Sequence, residues 1–246
     1  MNVLDYILEK KDEETLHMGL IDPDEQSPEE SGRLAQALDE VGSDAVMVGG
    51  STGITQENLD KTVKEMKNVT DLPIIHFPTK AGAISPHVDA IYFMSMLNSM
   101  DLSKVVGEQV AGAPYIRDMN IETLPMGYVV VEPGMTVGKV GKADLIPRND
   151  SEMAVSFGLA AQYFGMELFY LEAGSGAPDP VPVEMIKACK ESLDIPLIVG
   201  GGIREPEQAR KRAEAGADVI VTGTVIEETS RVSSKLKELI GTIKEA

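Results

Sequence analysis

The chain is poor in cysteine, in aromatic side chains and in positive charge. It has 246 residues, with one Cys, no Trp, 5 Phe and 6 Tyr, and 22 basic residues against 40 acidic ones, a net charge of −18. Cys189 alone excludes an internal disulfide framework, and in its apolar helical pattern we expect it to fill the core. The charge and the scarcity of aromatics argue against binding nucleic acid or an anionic membrane surface broadly. They do not exclude a small, local binding site for an anion.

Long hydrophobic runs are also absent. No window of about 18 residues is continuously apolar, and the longest pure runs are as short as residues 128–131, so we expect no membrane span. The N-terminal stretch is short, amphipathic and acidic, and it lacks the basic start and apolar centre of a secretion signal. With a single thiol, these features predict a cytoplasmic protein.

Short apolar runs of strand type alternate with longer stretches of helical spacing along the whole chain. The predicted strands are residues 16–21, 44–49, 73–77, 89–93, 126–131, 167–172, 196–199 and 218–222. Helical patterns of a length suited to parallel crossovers lie between most of them. The connection from Phe77 to Asp89 is the exception, because it is short and contains Pro78, Gly82 and Pro86. We expect one helix to be missing there.

Eight strands, about seven crossover helices and a length close to the roughly 250 residues typical of the fold predict a TIM-type (βα)8 barrel. No linker divides the sequence, so we interpret residues 1–246 as one domain. An open doubly wound sheet is the alternative, because periodicity does not separate two folds that both repeat βα units. In a barrel, functional residues gather at the carboxyl ends of the strands.

Glycine-rich turns follow the last two predicted strands. Residues 200–202 are all Gly, and Gly223 with Thr224 follows the eighth strand. Glycines allow close backbone approach, and free amides at helix N-termini bind anions. Strands seven and eight of barrel enzymes commonly hold a phosphate in this way. Tight βα turns with no ligand are the alternative for either loop alone.

The sixth predicted strand ends in a carboxylate and a phenol. Alternation places Tyr170 and Glu172 on the same side of the sheet, where they could bind hydroxyl groups or accept a proton. A capped strand end with a flexible turn over residues 174–176 is the alternative.

The first two predicted strands end in oxygen-bearing side chains. Asp22 and Asp24 follow the first strand, and Ser51 follows the second. A sparse set of oxygen ligands suits Mg²⁺, which keeps several waters and is completed by substrate phosphates. Ordinary turn and helix-capping chemistry would use the same residues.

Other motifs narrow the choice of chemistry. The three histidines lack metal-type spacing, and the chain has no P-loop, nucleophile elbow or Rossmann fingerprint.

The loop from Glu132 to Asp150 carries Lys139, Lys142 and Arg148, which makes it a candidate for binding a diphosphate.

Together the motifs resemble one family, the geranylgeranylglyceryl phosphate synthases with their bacterial heptaprenylglyceryl phosphate synthase relatives. The motifs are DPD at 22–24, GGST at 49–52, LNS at 97–99, YLEAGSG at 170–176, GGGI at 200–203 and GT at 223–224. They extend from the first strand to the eighth, so the resemblance covers essentially the whole chain.

The resemblance implies an Mg²⁺-dependent prenyltransferase of ether-lipid synthesis. It would join geranylgeranyl diphosphate to the 3-hydroxyl of sn-glycerol 1-phosphate, and it would be a homo-oligomer without a helix after strand three. Asp22 and Ser51 would bind the metal, and Glu172 would accept the hydroxyl proton with Tyr170 orienting it. The residues implied for glycerol phosphate are Tyr170, Leu171, Glu172, Ala173, Gly174, Ser175, Gly176, Gly201, Gly202, Gly223 and Thr224.

A methionine-rich stretch beside the missing helix suits a hydrocarbon groove, because thioethers are flexible. It comprises Tyr92, Phe93, Met94, Met96, Leu97 and Met100, which could equally be barrel packing. The length of the prenyl chain cannot be read from residue spacing.

A phosphosugar isomerase or lyase, with Asp22 and Glu172 as acid and base, is the alternative enzyme function. A phosphate-ligand sensor is the non-enzyme alternative.

Overall fold

Eight parallel strands close into a barrel in chain order, from β1 next to β2 round to β8 next to β1. The computed structural model describes residues 2–223 and 232–246. The strands are β1 Leu16–Ile21, β2 Ala45–Val48, β3 Ile74–His76, β4 Ala90–Met96, β5 Glu122–Val130, β6 Leu168–Glu172, β7 Leu197–Gly200 and β8 Val219–Thr222. The predicted TIM-type barrel is confirmed, and closure between β1 and β8 excludes the open sheet.

Helices cover the outside of the barrel, and several begin at polar residues that cap their first turn. Ser27 accepts a hydrogen bond from the Glu30 amide where the helix from Pro28 begins, and Thr55 forms a capping box with Asn58 where the helix from Gln56 begins. The helices are α1 Val3–Lys10, α2 Pro28–Glu40, α3 Gln56–Lys67, α4 Glu108–Met119, α5 Met135–Val140, α6 Ser151–Tyr163, α7 Val183–Ser192, α8 Pro206–Glu214 and α9 Val232–Lys244. A π-helical turn, Ser103–Gly107, precedes α4.

The segment from β3 to β4 differs from the other crossovers. Residues 77–89, all of them described, form no helix, as the sequence predicts. Gln56 of α3 holds this segment at Ile84, donating to the Ile84 carbonyl and accepting from its amide, both at 3.0 Å. We call residues 78–88 the strap. Because it is thinner than a helix, the outer face of β4 stays open to a ligand.

The apolar residues divide into separate layers. One cluster fills the barrel with alternating residues from all eight strands, and a second packs the outer faces of the strands against the helices. Val3 and Ile7 of α1 join the interior cluster and close the amino-terminal end of the barrel. The Glu122 carboxylate accepts hydrogen bonds from the amides of Val3 at 2.7 Å and Leu4 at 2.8 Å. The barrel is therefore open only at the carboxyl ends of its strands.

Two of the three histidines and the cysteine are buried. His17 and His76 are buried, and burial lowers the pKa of each to about 4, so both are neutral near pH 7. His17 bonds Ser43 and Thr222, each at 2.9 Å. Cys189 is a buried free thiol. Among the described residues, no helix is both long and apolar enough to span a bilayer.

Candidate active site

The reactive side chains at the end of β6 point into the mouth of the barrel. Strand alternation puts Tyr170 and Glu172 on the same side of the sheet, as predicted; that side faces the barrel interior, and both residues are buried. The Tyr170 hydroxyl donates to the Glu172 carboxylate. The amide of Gly174 donates to Glu172 Oε1 at 2.6 Å. These two donors fix the carboxylate in one orientation.

Two glycines of β7 and its loop make room for this pair. A Cβ at Gly200 would lie 2.1 Å from the Tyr170 hydroxyl oxygen and 3.1 Å from Glu172 Oε2. A Cβ at Gly201 would lie 2.2 Å from Glu172 Oε1, and Gly201 has a φ of +84° that other residues rarely adopt. The GGG sequence therefore accommodates the carboxylate as well as forming a turn.

Burial shifts the pKa of Glu172 into a range that suits proton transfer. Burial raises its pKa from 4.5 to about 7, although the Gly174 and Tyr170 hydrogen bonds oppose the rise. A carboxylate with a pKa near the working pH can accept a proton and release it again. Tyr170 is protonated at this pH, since burial holds its pKa well above the ordinary value of 10.

A small pocket of about 380 Å³, including part of its opening, lies beside Glu172 between the ends of β6, β7 and β8. Its lining includes most of the residues predicted to hold glycerol phosphate: Tyr170, Glu172, Ser175, Gly201, Gly202 and Gly223. The other predicted residues that are described, Leu171, Ala173, Gly174 and Gly176, do not line it. Leu171 instead packs in the layer between barrel and helices. Thr224 lies outside the described residues.

The pocket also has a basic side chain that the sequence reading missed. Arg204 lines it, and its Nη1 donates to the Ala177 carbonyl at 3.0 Å. Arg204 therefore ties the loop after β7 to the loop after β6. It directly follows the GGGI motif, so its position beside the glycines was the available signal.

The ends of β1 and β2 meet at Asp22. The carboxylate lies against the backbone of Gly50, where a Cβ would be 1.9 Å from Oδ2. Burial raises the pKa of Asp22 to about 6, nearby Glu25 and Asp24 add to the rise, and the Asp24 amide opposes it by donating to Oδ1 at 2.9 Å.

Asp22 has the properties expected of a ligand in a metal site with few protein ligands. It forms no ion pair within the described part of the chain, so its partly desolvated charge has no protein cation opposite it. Ser51 follows Gly50 and lines the mouth of the barrel. No group of three or more His, Cys, Asp or Glu side chains that could hold a metal occurs in residues 2–223 and 232–246. A carboxylate and a hydroxyl are oxygen ligands of the kind that Mg²⁺ takes when water and phosphate complete its coordination.

A second, larger cavity runs from the mouth over the outer face of β4. It encloses about 1070 Å³, open solvent included, and passes between the strap and α4. Ile84, Ile91 and Ile116 form its apolar floor as a cluster of their own. We call this cavity the groove. It meets the small pocket at three shared residues, Leu20, Glu172 and Ser175.

Aromatic rings lie in the interior at the junction of the two cavities. The ring of Phe77 is 5.8 Å from that of Tyr92 and 5.7 Å from that of Tyr128, and the Tyr128 and Tyr170 rings are 5.1 Å apart, measured between centroids. These contacts form an apolar layer next to Glu172.

The methionine-rich stretch is divided by the structure. Four of its residues line the groove: Tyr92, Phe93, Met94 and Met96. Leu97 packs against the layer between barrel and helices, and Met100 is exposed.

The loop after β5 lines the groove with Val137, Val140 and Gly141, but its basic side chains lie elsewhere. Lys142 pairs with Asp101 at 2.8 Å, and Arg148 donates to the carbonyls of Glu132, Asp179 and Pro180. Neither these two residues nor Lys139 lines the groove. The groove lining therefore gives no support to these three cations as diphosphate ligands, and that expectation stays a prediction.

Comparison with known proteins identifies relatives along the whole chain. The family model described as the PcrB family matches residues 7–244. Geranylgeranylglyceryl phosphate synthase from Pyrococcus horikoshii is 52% identical over 234 residues, covering 95% of this chain and 92% of the relative. The enzyme of that name from Thermococcus kodakarensis is 53% identical over 237 residues, covering 95% and 94%.

A solved structure is similarly close. The crystal structure of (S)-3-O-geranylgeranylglyceryl phosphate synthase from Thermoplasma acidophilum, in complex with substrate sn-glycerol-1-phosphate, has a TM-score of 0.98 and 49% identity, covering 100% of both chains.

Proposed function

The chain belongs to the PcrB family and is a prenyltransferase of ether-lipid synthesis, and we propose that it joins geranylgeranyl diphosphate to the 3-hydroxyl of sn-glycerol 1-phosphate. The observation that carries the proposal is the position of Glu172. This buried carboxylate lies where a small glycine-lined pocket meets a long apolar groove. A phosphate-bearing alcohol in the pocket and a hydrocarbon in the groove would place their reacting ends at Glu172.

The small pocket suits glycerol phosphate. Gly201, Gly202 and Gly223 bring backbone close to the ligand at the ends of β7 and β8, where barrel enzymes hold phosphate. Arg204 adds a positive charge at the same wall. With the phosphate there, the free hydroxyl end would reach toward Glu172 and Tyr170.

Glu172 and Tyr170 would act on the glycerol hydroxyl. The hydroxyl oxygen forms a bond to the first carbon of the prenyl chain, the bond from that carbon to the diphosphate oxygen breaks, and its electron pair leaves with diphosphate. Glu172 accepts the hydroxyl proton, and Tyr170 orients the carboxylate through its hydrogen bond. The apolar layer at the junction excludes water that would otherwise compete as nucleophile.

We propose Mg²⁺ as the cofactor. Asp22 and Ser51 would hold it, and its charge would offset the negative charge that develops on the departing diphosphate. The desolvated Asp22 carboxylate without a protein cation supports this assignment within the described residues.

The test is a transfer assay. Radiolabelled sn-glycerol 1-phosphate is incubated with geranylgeranyl diphosphate and Mg²⁺, and label extracted into an organic phase is counted. sn-Glycerol 3-phosphate is the matched control. Absence of extractable label with both isomers would overturn the proposal. Diphosphates of graded prenyl length, followed by mass spectrometry of the products, would establish the preferred chain.

We also propose a homo-oligomer. Leu102, Val106 and Val110 are spaced four residues apart through the π-helical turn into α4, and Leu102 is 71% and Val110 68% exposed. An exposed apolar stripe of this kind suits burial against a second copy. Light scattering coupled to gel filtration tests it, and a monomeric mass would contradict it. The cytoplasmic location stays a prediction.

A further inference from the structure

The groove contains two positive charges at its polar end. Within the described part of the chain, Lys80 and Lys104 are the lysines and arginines that line it. The Lys104 Nζ lies 3.5 Å from the Thr79 carbonyl oxygen, and the Thr79 hydroxyl donates to the Gly50 carbonyl. Gly50 in turn packs on Asp22. A series of contacts therefore joins Lys104 to the end of the groove where the proposed metal ligands lie, and Lys80 directly follows Thr79 in the strap.

Neither lysine has its charge fully neutralised by the described residues. Lys80 is exposed and forms no ion pair there. The carboxylate nearest Lys104 is that of Glu108, 3.8 Å away, which is too long for a strong hydrogen bond. Glu108 also accepts a hydrogen bond from the Ala81 amide at 2.8 Å. Both ammonium groups are thus available to an anionic ligand.

We propose that Lys80 and Lys104 bind the diphosphate group of the prenyl substrate. The inference rests on the proposed function. It names residues for the diphosphate of the prenyl substrate, whereas the glycine loops are proposed to bind the phosphate of the glycerol substrate. A diphosphate ester brings about three negative charges next to Asp22 and Glu172. One divalent ion offsets only two of these charges, and the two ammonium groups at the polar end of the groove offset two more.

The position of the lysines also fits the direction of the substrate. Lys104 lies before α4, and Lys80 lies in the strap, so the two elements that enclose the groove each contribute one cation at its polar end. A hydrocarbon attached to a diphosphate held there enters the space above Ile84 and Ile116.

The experiment compares Lys80→Met, Lys104→Met and the double variant with Lys142→Met as the matched control. Methionine keeps an apolar stem and removes the charge, and Lys142 is an exposed lysine that pairs with Asp101 off the groove. Calorimetry measures binding of inorganic diphosphate in the presence of Mg²⁺, and steady-state kinetics gives the KM of each substrate.

Each single variant is expected to weaken diphosphate binding and raise the KM for prenyl diphosphate about tenfold, with a larger effect in the double variant. The KM for sn-glycerol 1-phosphate should change less than twofold, and Lys142→Met should match the wild type. Lys80→Arg should recover most of the affinity. For Lys104, the Lys104→Arg variant and a thermal melt separate loss of charge from loss of fold.

Unchanged diphosphate binding in a folded double variant would overturn the inference, as would an equal loss of affinity for both substrates. A wild-type protein that binds diphosphate through these lysines but forms no prenyl ether would instead overturn the proposed transfer and leave the site standing.

Discussion

Replacing Glu172 by Gln is expected to make the protein more stable above neutral pH while it removes the base. Glu172 is buried, and burial raises its pKa to about 7. Gln resembles the protonated carboxyl group in shape and polarity, so it retains an oxygen for the Gly174 amide without carrying a charge. The wild-type chain must keep an ionised carboxylate in a site that disfavours ionisation.

The size of the effect follows from the two pKa values. Between the ordinary value of 4.5 and about 7, the folded protein binds a proton that the unfolded chain has released, so stability falls as pH rises. The loss is complete above the folded value and amounts to about 3 kcal/mol. The Gln variant does not titrate, so its stability relative to wild type should improve by that amount between pH 4.5 and pH 8.

Denaturation of both proteins at several pH values measures this difference. For a chain of this length about 1 kcal/mol moves the melting temperature by roughly 2–4 °C, so the variant should gain about 6–12 °C relative to wild type across the range. All other titrating groups are common to both proteins and cancel in the comparison.

The same substitution, Glu172→Gln, should lower activity although it raises stability. In wild type, kcat/KM should rise with pH and level off above about pH 7, as Glu172 loses its proton. In Glu172→Gln it should be about 100- to 10,000-fold lower and lack that rise. A stability difference that does not depend on pH would refute the electrostatic reasoning, and a variant with wild-type turnover would refute the assignment of the base.

The remaining predictions concern the metal, a close contact and the groove. Asp22→Asn should abolish Mg²⁺-dependent turnover while Asp24→Asn retains most of it; turnover persisting in excess chelator would contradict the metal role. Gly200→Ala should displace the Tyr170 hydroxyl, 2.1 Å from the new methyl position, and cost about 1–3 kcal/mol of stability with loss of turnover, measured by melting and the transfer assay. Gly112→Trp should fill the groove beside the strap and shift product mass toward shorter chains, and an unchanged product distribution would place the chain elsewhere.

The strands were predictable because each carries a short apolar run that is buried on both faces. β1 was predicted at its observed ends. β5 was the least accurate, since it begins at Glu122 and its first residues include exposed Thr123 and half-buried Pro125, which interrupt the apolar pattern. Pairing with β4, which continues to Met96, holds this part of the strand in place. Local pattern does not contain that long-range contact.

The candidate site also contains a part that the sequence predicts and a part that it does not. The glycine loops and Glu172 were visible because each lies at a strand end, and the barrel brings strand ends together. Lys80, Lys104 and Gly112 were not, because the irregular strap and the π-helical turn set their positions and neither has a sequence period. In the basic loop after β5, Lys142 pairs with Asp101 and Arg148 donates to backbone carbonyls, contacts between distant residues that the local sequence does not indicate.

Beyond the mouth of the barrel the groove lies on the outer face of β4, outside the closed cylinder of strands, and this separates substrate length from the stability of the framework. Its floor of Ile84, Ile91 and Ile116 forms a cluster apart from both the barrel interior and the layer beneath the helices. Substitutions at sites without shared contacts act nearly independently. The groove can therefore be lengthened or shortened over many generations, or in the laboratory, while the barrel that positions Glu172 keeps its packing.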